Sequence, residues 1–87
     1  MKGLARTPDT APHALTQLHK GECGSLLALD LPLSDAYRLM ALGFVPGGRD
    51  EDTGSAPGGD PLIFRVDGTE VALRRETARR VTVERHP

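Results

Sequence analysis

The hydrophobic positions change period along the chain, and each change marks an element. In residues 25–31 (SLLALDL), Leu27, Leu29 and Leu31 alternate with Leu26, Ala28 and Asp30. That is the period of a strand with one apolar face and a second that is partly so. Pro32 ends it. Ala36, Leu39 and Met40 then recur at helical spacing and predict a short α-helix over residues 34–42 with one apolar stripe. Ser34 is the expected N-cap, and Asp35 places a negative charge at the positive end of the helix dipole. Gly43 stands where a left-handed residue closes a helix, and Phe44 is placed to fold back onto Leu39. Pro46, Gly47 and Gly48 turn the chain through a fixed corner. So short a helix is not stable alone and must pack on strands.

After the corner the period of two returns. Residues 61–66 (PLIFRV) and 69–73 (TEVAL) both alternate, and Asp67-Gly68 between them is a strong hairpin signal. Residues 74–80 read as one helical turn with Ala78 inward, and residues 81–85 as a last strand with Val81 and Val83 inward. Upstream, Leu15 and Leu18 suit a single helical turn over an edge of the core. Residues 20–24, with two glycines, read as a turn. Residues 48–60 read on composition as an acidic loop. Residues 1–12, polar and carrying Pro8 and Pro12, read as a flexible N-terminal tail, which leaves residues 13–87 as a single domain. Short strands, close turns and one inserted helix predict a mainly β chain folded as a small barrel.

Composition narrows the partners. Among 87 residues, 11 Lys and Arg stand against 12 Asp and Glu, for a net charge of -1. A nucleic-acid binder normally carries a basic excess to displace counterions, so no nucleic-acid partner is expected. Tyr37, Phe44 and Phe64 are too few and too scattered to build a stacking platform or an aromatic groove for proline-rich peptides. The single cysteine, Cys23, excludes an intramolecular disulfide and fits a reducing compartment. No apolar run approaches the roughly 20 residues that span a bilayer. The N-terminus lacks the apolar core of a signal peptide, so the expectation is a soluble, cytoplasmic protein without direct membrane insertion.

No catalytic set is visible. A phosphate-cradling glycine loop and a Ser/His/Asp arrangement are both missing, and Cys23 with a histidine would have little cleft to work in. His19, Glu22 and Cys23 are competent ligands for zinc or iron(II), but three ligands without a fourth make an incomplete site. The alternative is a polar turn with a half-buried cysteine. His13 and His86 read as solvated. Charge is unevenly spread: residues 74–87 hold five Arg against two Glu, and residues 50–60 hold four acids and no base. Arg74, Arg75 and Arg79 are therefore candidate partner contacts, as are Tyr37 and Arg38 on the helix face opposite the apolar stripe. The alternative for both is an ordinary solvated face. The same asymmetry permits self-contact.

Over residues 14–85 the chain resembles the ferrous iron transport protein A (FeoA) family, and the C-terminal module of DtxR-like iron-dependent repressors. The resemblance rests on Leu39, Leu42-Gly43, Pro46-Gly47, Ala56-Pro57, Gly59-Asp60-Pro61, Gly68, and Ala72-Leu73-Arg74 with Ala78. It implies an SH3-like β-barrel of about five strands in which Leu39, Gly43, Pro46, Gly47 and Gly68 are structural. It also implies a non-enzymatic cytosolic accessory protein that docks on the membrane iron(II) transporter FeoB and modulates it. A metal-responsive regulatory or protein-interaction module is the alternative reading, and a nucleic-acid-binding small barrel a more distant one. No obligatory cofactor is implied beyond a weak zinc or iron(II) contact. One departure stands out: Asp50 and Asp52 occupy positions where the resemblance expects buried valines. An unpaired buried carboxylate costs several kcal/mol, so a locally irregular second strand is expected there. Its open edge would favour a homodimer.

Overall fold

The computed structural model describes residues 11–86. Of the expected tail, residues 1–10 lie outside that range. Six strands form one antiparallel sheet: β1 (Pro12–Ala14), β2 (Cys23–Leu29), β3 (Arg49–Ser55), β4 (Leu62–Val66), β5 (Thr69–Leu73) and β6 (Val81–His86). Their order is β1-β6-β2-β3-β4-β5, so the sheet is not closed and β1 and β5 are its edges. It still wraps one core. Val71 and Leu73 of β5 share a single buried cluster with Val81 and Val83 of β6, together with Leu15, Leu18, Leu26 and Phe64. Two α-helices, α1 (Leu33–Ala41) and α2 (Arg75–Ala78), and two short 3-10 turns, Leu15–Gln17 and Pro57–Gly59, complete the described fold. The sixth strand is the short β1, which pairs with β6 through Pro12↔Glu84 and Ala14↔Thr82. Three residues beginning with proline carry no alternation to reveal a strand.

The turn expected at residues 20–24 closes earlier, with the Glu22 N–H donating to the His19 carbonyl at 2.8 Å, and β2 begins at Cys23. The leucine run of β2 does not keep a single face. The register passes from Leu26↔Val83 to Ala28↔Thr82, a bulge at Leu27. Leu26 is therefore buried, Leu27 is exposed, and Leu29 packs partly against the core. An extra residue in one strand flips the facing of everything after it. The corner after α1 docks at this bulge: the Gly47 N–H donates to the Leu26 carbonyl, and the Leu26 N–H to the Gly48 carbonyl, both at 2.8 Å.

Helix α1 starts one residue before the expected N-cap. Pro32 takes the cap position, the Ala36 N–H donates to its carbonyl at 2.9 Å, and no side chain caps the end. Ser34 lies inside the first turn, because the fixed φ of Pro32 already sets the entry angle. Asp35 sits in the first turn as expected. The buried stripe is narrower than predicted: Ala36 and Leu39 face the core, whereas Met40 is exposed. The C-terminus closes as a Schellman motif. Gly43 adopts φ 109°, its N–H donates to the Met40 carbonyl at 3.0 Å, and the Phe44 N–H donates to the Leu39 carbonyl at 3.0 Å. A Cβ on Gly43 would lie 3.0 Å from Val66 Cγ1, with the backbone in the left-handed region. Gly43→Ala is accordingly expected to cost about 1–3 kcal/mol in urea denaturation. A cost near zero would show that the corner tolerates an ordinary residue.

Residues 49–55 are neither a loop nor a frayed strand. β3 is paired on both sides, with Gly24↔Asp50 toward β2 and with Asp50↔Val66 and Asp52↔Phe64 toward β4. It offers no open edge. Both aspartates point to the core side and are 0% and 6% exposed. The irregularity is confined to a bulge at Thr53, where the register passes from Asp52↔Phe64 to Gly54↔Ile63. That bulge gives Asp52 its partner, since the Gly54 N–H donates to Asp52 Oδ1 at 2.8 Å. Asp50 has none: neither carboxylate oxygen meets a hydrogen-bond partner among the described residues. Burial pushes its pKa up to about 7. With Asp50 and Asp52 inside, only Glu51 and Asp60 of the acidic stretch are left to carry charge on the outside.

Candidate functional site

Helix α1 buries one face and leaves the other bare. Leu33, Tyr37 and Met40 follow one another at spacings of four and three, so they line a single helix face. Leu33 is 71% and Tyr37 64% exposed. The stripe runs on into Leu42 and Val45 at the corner, which are also exposed. At that end a groove of about 860 Å³ opens between the corner and the outer face of the sheet, lined on one side by Met40, Leu42 and Val45. Its other wall is charged. Arg65 of β4 lies 3.4 Å from Glu51 of β3 and 3.8 Å from Glu70 of β5, a cross-strand row that fixes the guanidinium. The neighbouring Cys23 side chain holds the Arg49 pKa above the ordinary arginine value. An apolar wall facing a fixed row of charges suits a polypeptide ligand with both kinds of side chain.

The partner-contact residues expected from sequence fall in two places. Tyr37 and Arg38 lie on the bare face of α1, with Arg38 3.6 Å from Asp35. Arg79 lines a smaller hollow with Leu31, Pro32 and Asp35, and so sits beside the first turn of α1. Arg74 is exposed at the entry to α2. Arg75 is engaged within the fold. Its Nε donates to the Gly59 carbonyl at 2.7 Å and its N–H to Asp60 Oδ1 at 3.0 Å, which secures the Pro57–Gly59 turn. Leu33, Leu42 and Val45 are not legible as site residues in the sequence alone. A helical wheel drawn from Leu33 would join it to Tyr37 and Met40.

Of the three candidate metal ligands, two meet. Glu22 Oε1 accepts from the His19 N–H at 2.8 Å and lies 3.2 Å from His19 Nδ1. The backbone bond, more than the nearby positive charges, holds the Glu22 carboxyl below its usual pKa. Cys23 belongs to β2 and stands opposite His86 and Glu51. Among the described residues no group of three His, Cys, Asp or Glu side chains is placed to hold a metal ion. His86, expected to be solvated, is half-buried, with Nε2 2.6 Å from Ser25 Oγ. His13 is half-buried too. No helix among the described residues is long and apolar enough to cross a membrane.

The FeoA domain model matches residues 13–85, nearly the whole of this fold. The chain belongs to the FeoA family. Its fold agrees with solved FeoA structures. The FeoA protein of Chlorobium tepidum shares 29% sequence identity at a TM-score of 0.79, over 83% of this chain and 69% of that one. The Stenotrophomonas maltophilia FeoA, an SH3-domain protein solved in complex with zinc, shares 36% at a TM-score of 0.68, over 80% and 87%. IdeR of T. acidophilum matches at 20% identity and a TM-score of 0.71, over 91% of this chain and 36% of that one, a likeness of fold alone. Elongation factor 1-alpha of Methanosarcina barkeri is 41% identical over 59 residues, 68% of this chain. The chain spans only 14% of the length of that curated relative. FeoA membership gives the chain's open, six-stranded sheet a place among SH3-like domains.

Proposed function

We propose that this chain is a non-enzymatic cytosolic accessory protein that docks on the cytosolic part of the membrane iron(II) transporter FeoB and modulates iron uptake. The bare apolar face of α1, continuous with the groove at its end, carries this reading. A row of large apolar side chains left in water on a domain this small marks an interaction surface. Tyr37 is its natural anchor, being large, amphipathic and central to the stripe. Arg38 and Arg79, close to the first turn of α1, supply positive charge at the rim. Arg74 adds a further exposed cation on the α2 side. Rim charges tune the rate of encounter more than the final affinity.

The test is binding of the purified chain to the cytosolic domain of FeoB, with Tyr37→Glu and Leu33→Glu as variants. Both side chains are exposed, so the melting temperature is expected to hold while affinity falls about tenfold or more for Tyr37→Glu. Full affinity in both variants would move the contact off α1. Absence of binding by the unaltered chain, with and without nucleotide, would remove FeoB as the partner.

A further inference from the structure

We propose that the free edge of β5 pairs antiparallel with β5 of a second copy of this chain, centred on Val71. The sheet has two edges, and they differ in what they offer. The β1 edge is only Pro12–Ala14, and Pro12 has no N–H to donate. The β5 edge carries no proline and no bulge, and its ladder with β4 is continuous from Leu62↔Leu73 to Val66↔Thr69. The hairpin turn fixes which groups are free. Asp67 and Gly68 both have positive φ, 51° and 78°, as a two-residue type I′ turn requires. Val66 and Thr69 then form the hydrogen-bonded pair that closes it, so Thr69, Val71 and Leu73 direct their N–H and C=O toward β4. The N–H and C=O of Glu70 and Ala72 point away from the sheet, and no backbone hydrogen bond among the described residues engages them. Both side chains are exposed, whereas Val71 and Leu73 between and beyond them are in the core.

The occupant follows from charge and register. Setting Glu70 opposite Glu70 of the second copy places like charges face to face. Setting Ala72 opposite Ala72 brings Glu70 opposite Arg74, whose carbonyl already accepts from the Thr77 and Ala78 N–H groups as the chain enters α2. The register that remains sets Glu70 opposite Ala72 in both directions, and each such pair exchanges two hydrogen bonds. In that register the two Glu70 side chains are no longer face to face but offset diagonally, and each Glu70 also lies diagonal to Arg74 of the second copy on the same outer face. The row Glu51, Arg65, Glu70 thereby gains a further positive charge from the second copy. The edge is self-complementary, as a twofold contact demands.

Sedimentation equilibrium of the full chain, with amide hydrogen exchange followed at several concentrations, tests this. The unaltered chain is expected to dimerise reversibly, with the Glu70 and Ala72 amides gaining protection as concentration rises. Ala72→Pro removes an N–H that β4 does not use, so it is expected to stay monomeric with its β4–β5 ladder amides still protected. Arg74→Glu is expected to weaken dimerisation about tenfold. A chain that stays monomeric up to about 1 mM, a dimer whose Glu70 and Ala72 amides exchange freely, or an Ala72→Pro variant that dimerises normally would each overturn the proposal. Failure here leaves the docking face on α1 untouched, because its apolar stripe is built from α1 and the corner and not from β5.

Discussion

Phe44→Ala is expected to lower the stability of this domain by about 3–5 kcal/mol. A domain of this length has roughly 4–13 kcal/mol in all, so the variant should be partly unfolded at growth temperature. The magnitude follows from where the ring sits. Phe44 is fully buried, and its ring meets Phe64 of β4 edge-to-face, with centroids 6.5 Å apart and planes at 81°. That geometry adds to the area term. Its N–H caps α1 through the Leu39 carbonyl, so the residue joins the helix end to the sheet at one point. The core has few large side chains to close over the gap. Leu39→Ala, at the other half of the joint, is expected to cost about 2–5 kcal/mol. Urea denaturation measures both. A loss below about 1 kcal/mol for Phe44→Ala would mean that the ring is not a core anchor.

Much of this joint is legible in the chain itself. Gly43, Phe44 and Asp67-Gly68 are local signals: a left-handed glycine after a periodic helix, or two such residues between alternating runs, admits few backbones. What is not legible depends on neighbours distant in sequence. The bulge at Leu27 exists because the corner at Gly47 and Gly48 takes the Leu26 backbone groups, and nothing in a run of leucines marks which one is displaced. Strand β1 is held by β6, 70 or so positions away, not by its own propensity. The helical period places Met40 with the core residues, yet it does not say how wide a buried stripe is, and Met40 lies outside it. The site suffers from the same gap. In the sequence Leu33 looks like the residue before a helix; in the fold it is the first residue of it, which completes the bare face with Tyr37.

The FeoA match and the fold place the chain in its family. The mode of contact has to come from side chains, since one small barrel-like fold hosts many roles. Here the two candidate contacts lie on separate elements, the bare face of α1 and the edge of β5. A domain with both can pair with itself through backbone and still present a helix to another protein.

The stability of this chain is expected to rise as pH falls from 8 to 5, against the usual trend for a protein with paired carboxylates, and Asp50 is the cause. Its carboxyl is fully buried, both oxygens lack a partner among the described residues, and burial raises its pKa from 3.8 to about 7. Between those two values the folded chain holds a proton that the unfolded chain has released. Each rise in pH across that window therefore favours unfolding, by about 1.4 kcal/mol per unit at most. Below the window the carboxyl is neutral in both states and the penalty vanishes; above it the penalty is constant, about 4 kcal/mol. Asp50→Val removes the charge and fills the same core position between Gly24 and Val66. It is expected to stabilise the domain by several kcal/mol at pH 8, and by much less at pH 5. Asp50→Asn separates the two contributions, since the amide cannot ionise but still lacks partners. It should flatten the pH slope without gaining the full stability of valine. Urea denaturation of the three chains between pH 5 and pH 8 decides it. Parallel slopes in the unaltered chain and Asp50→Asn would place the pH dependence elsewhere and show that water reaches the carboxylate in the folded protein.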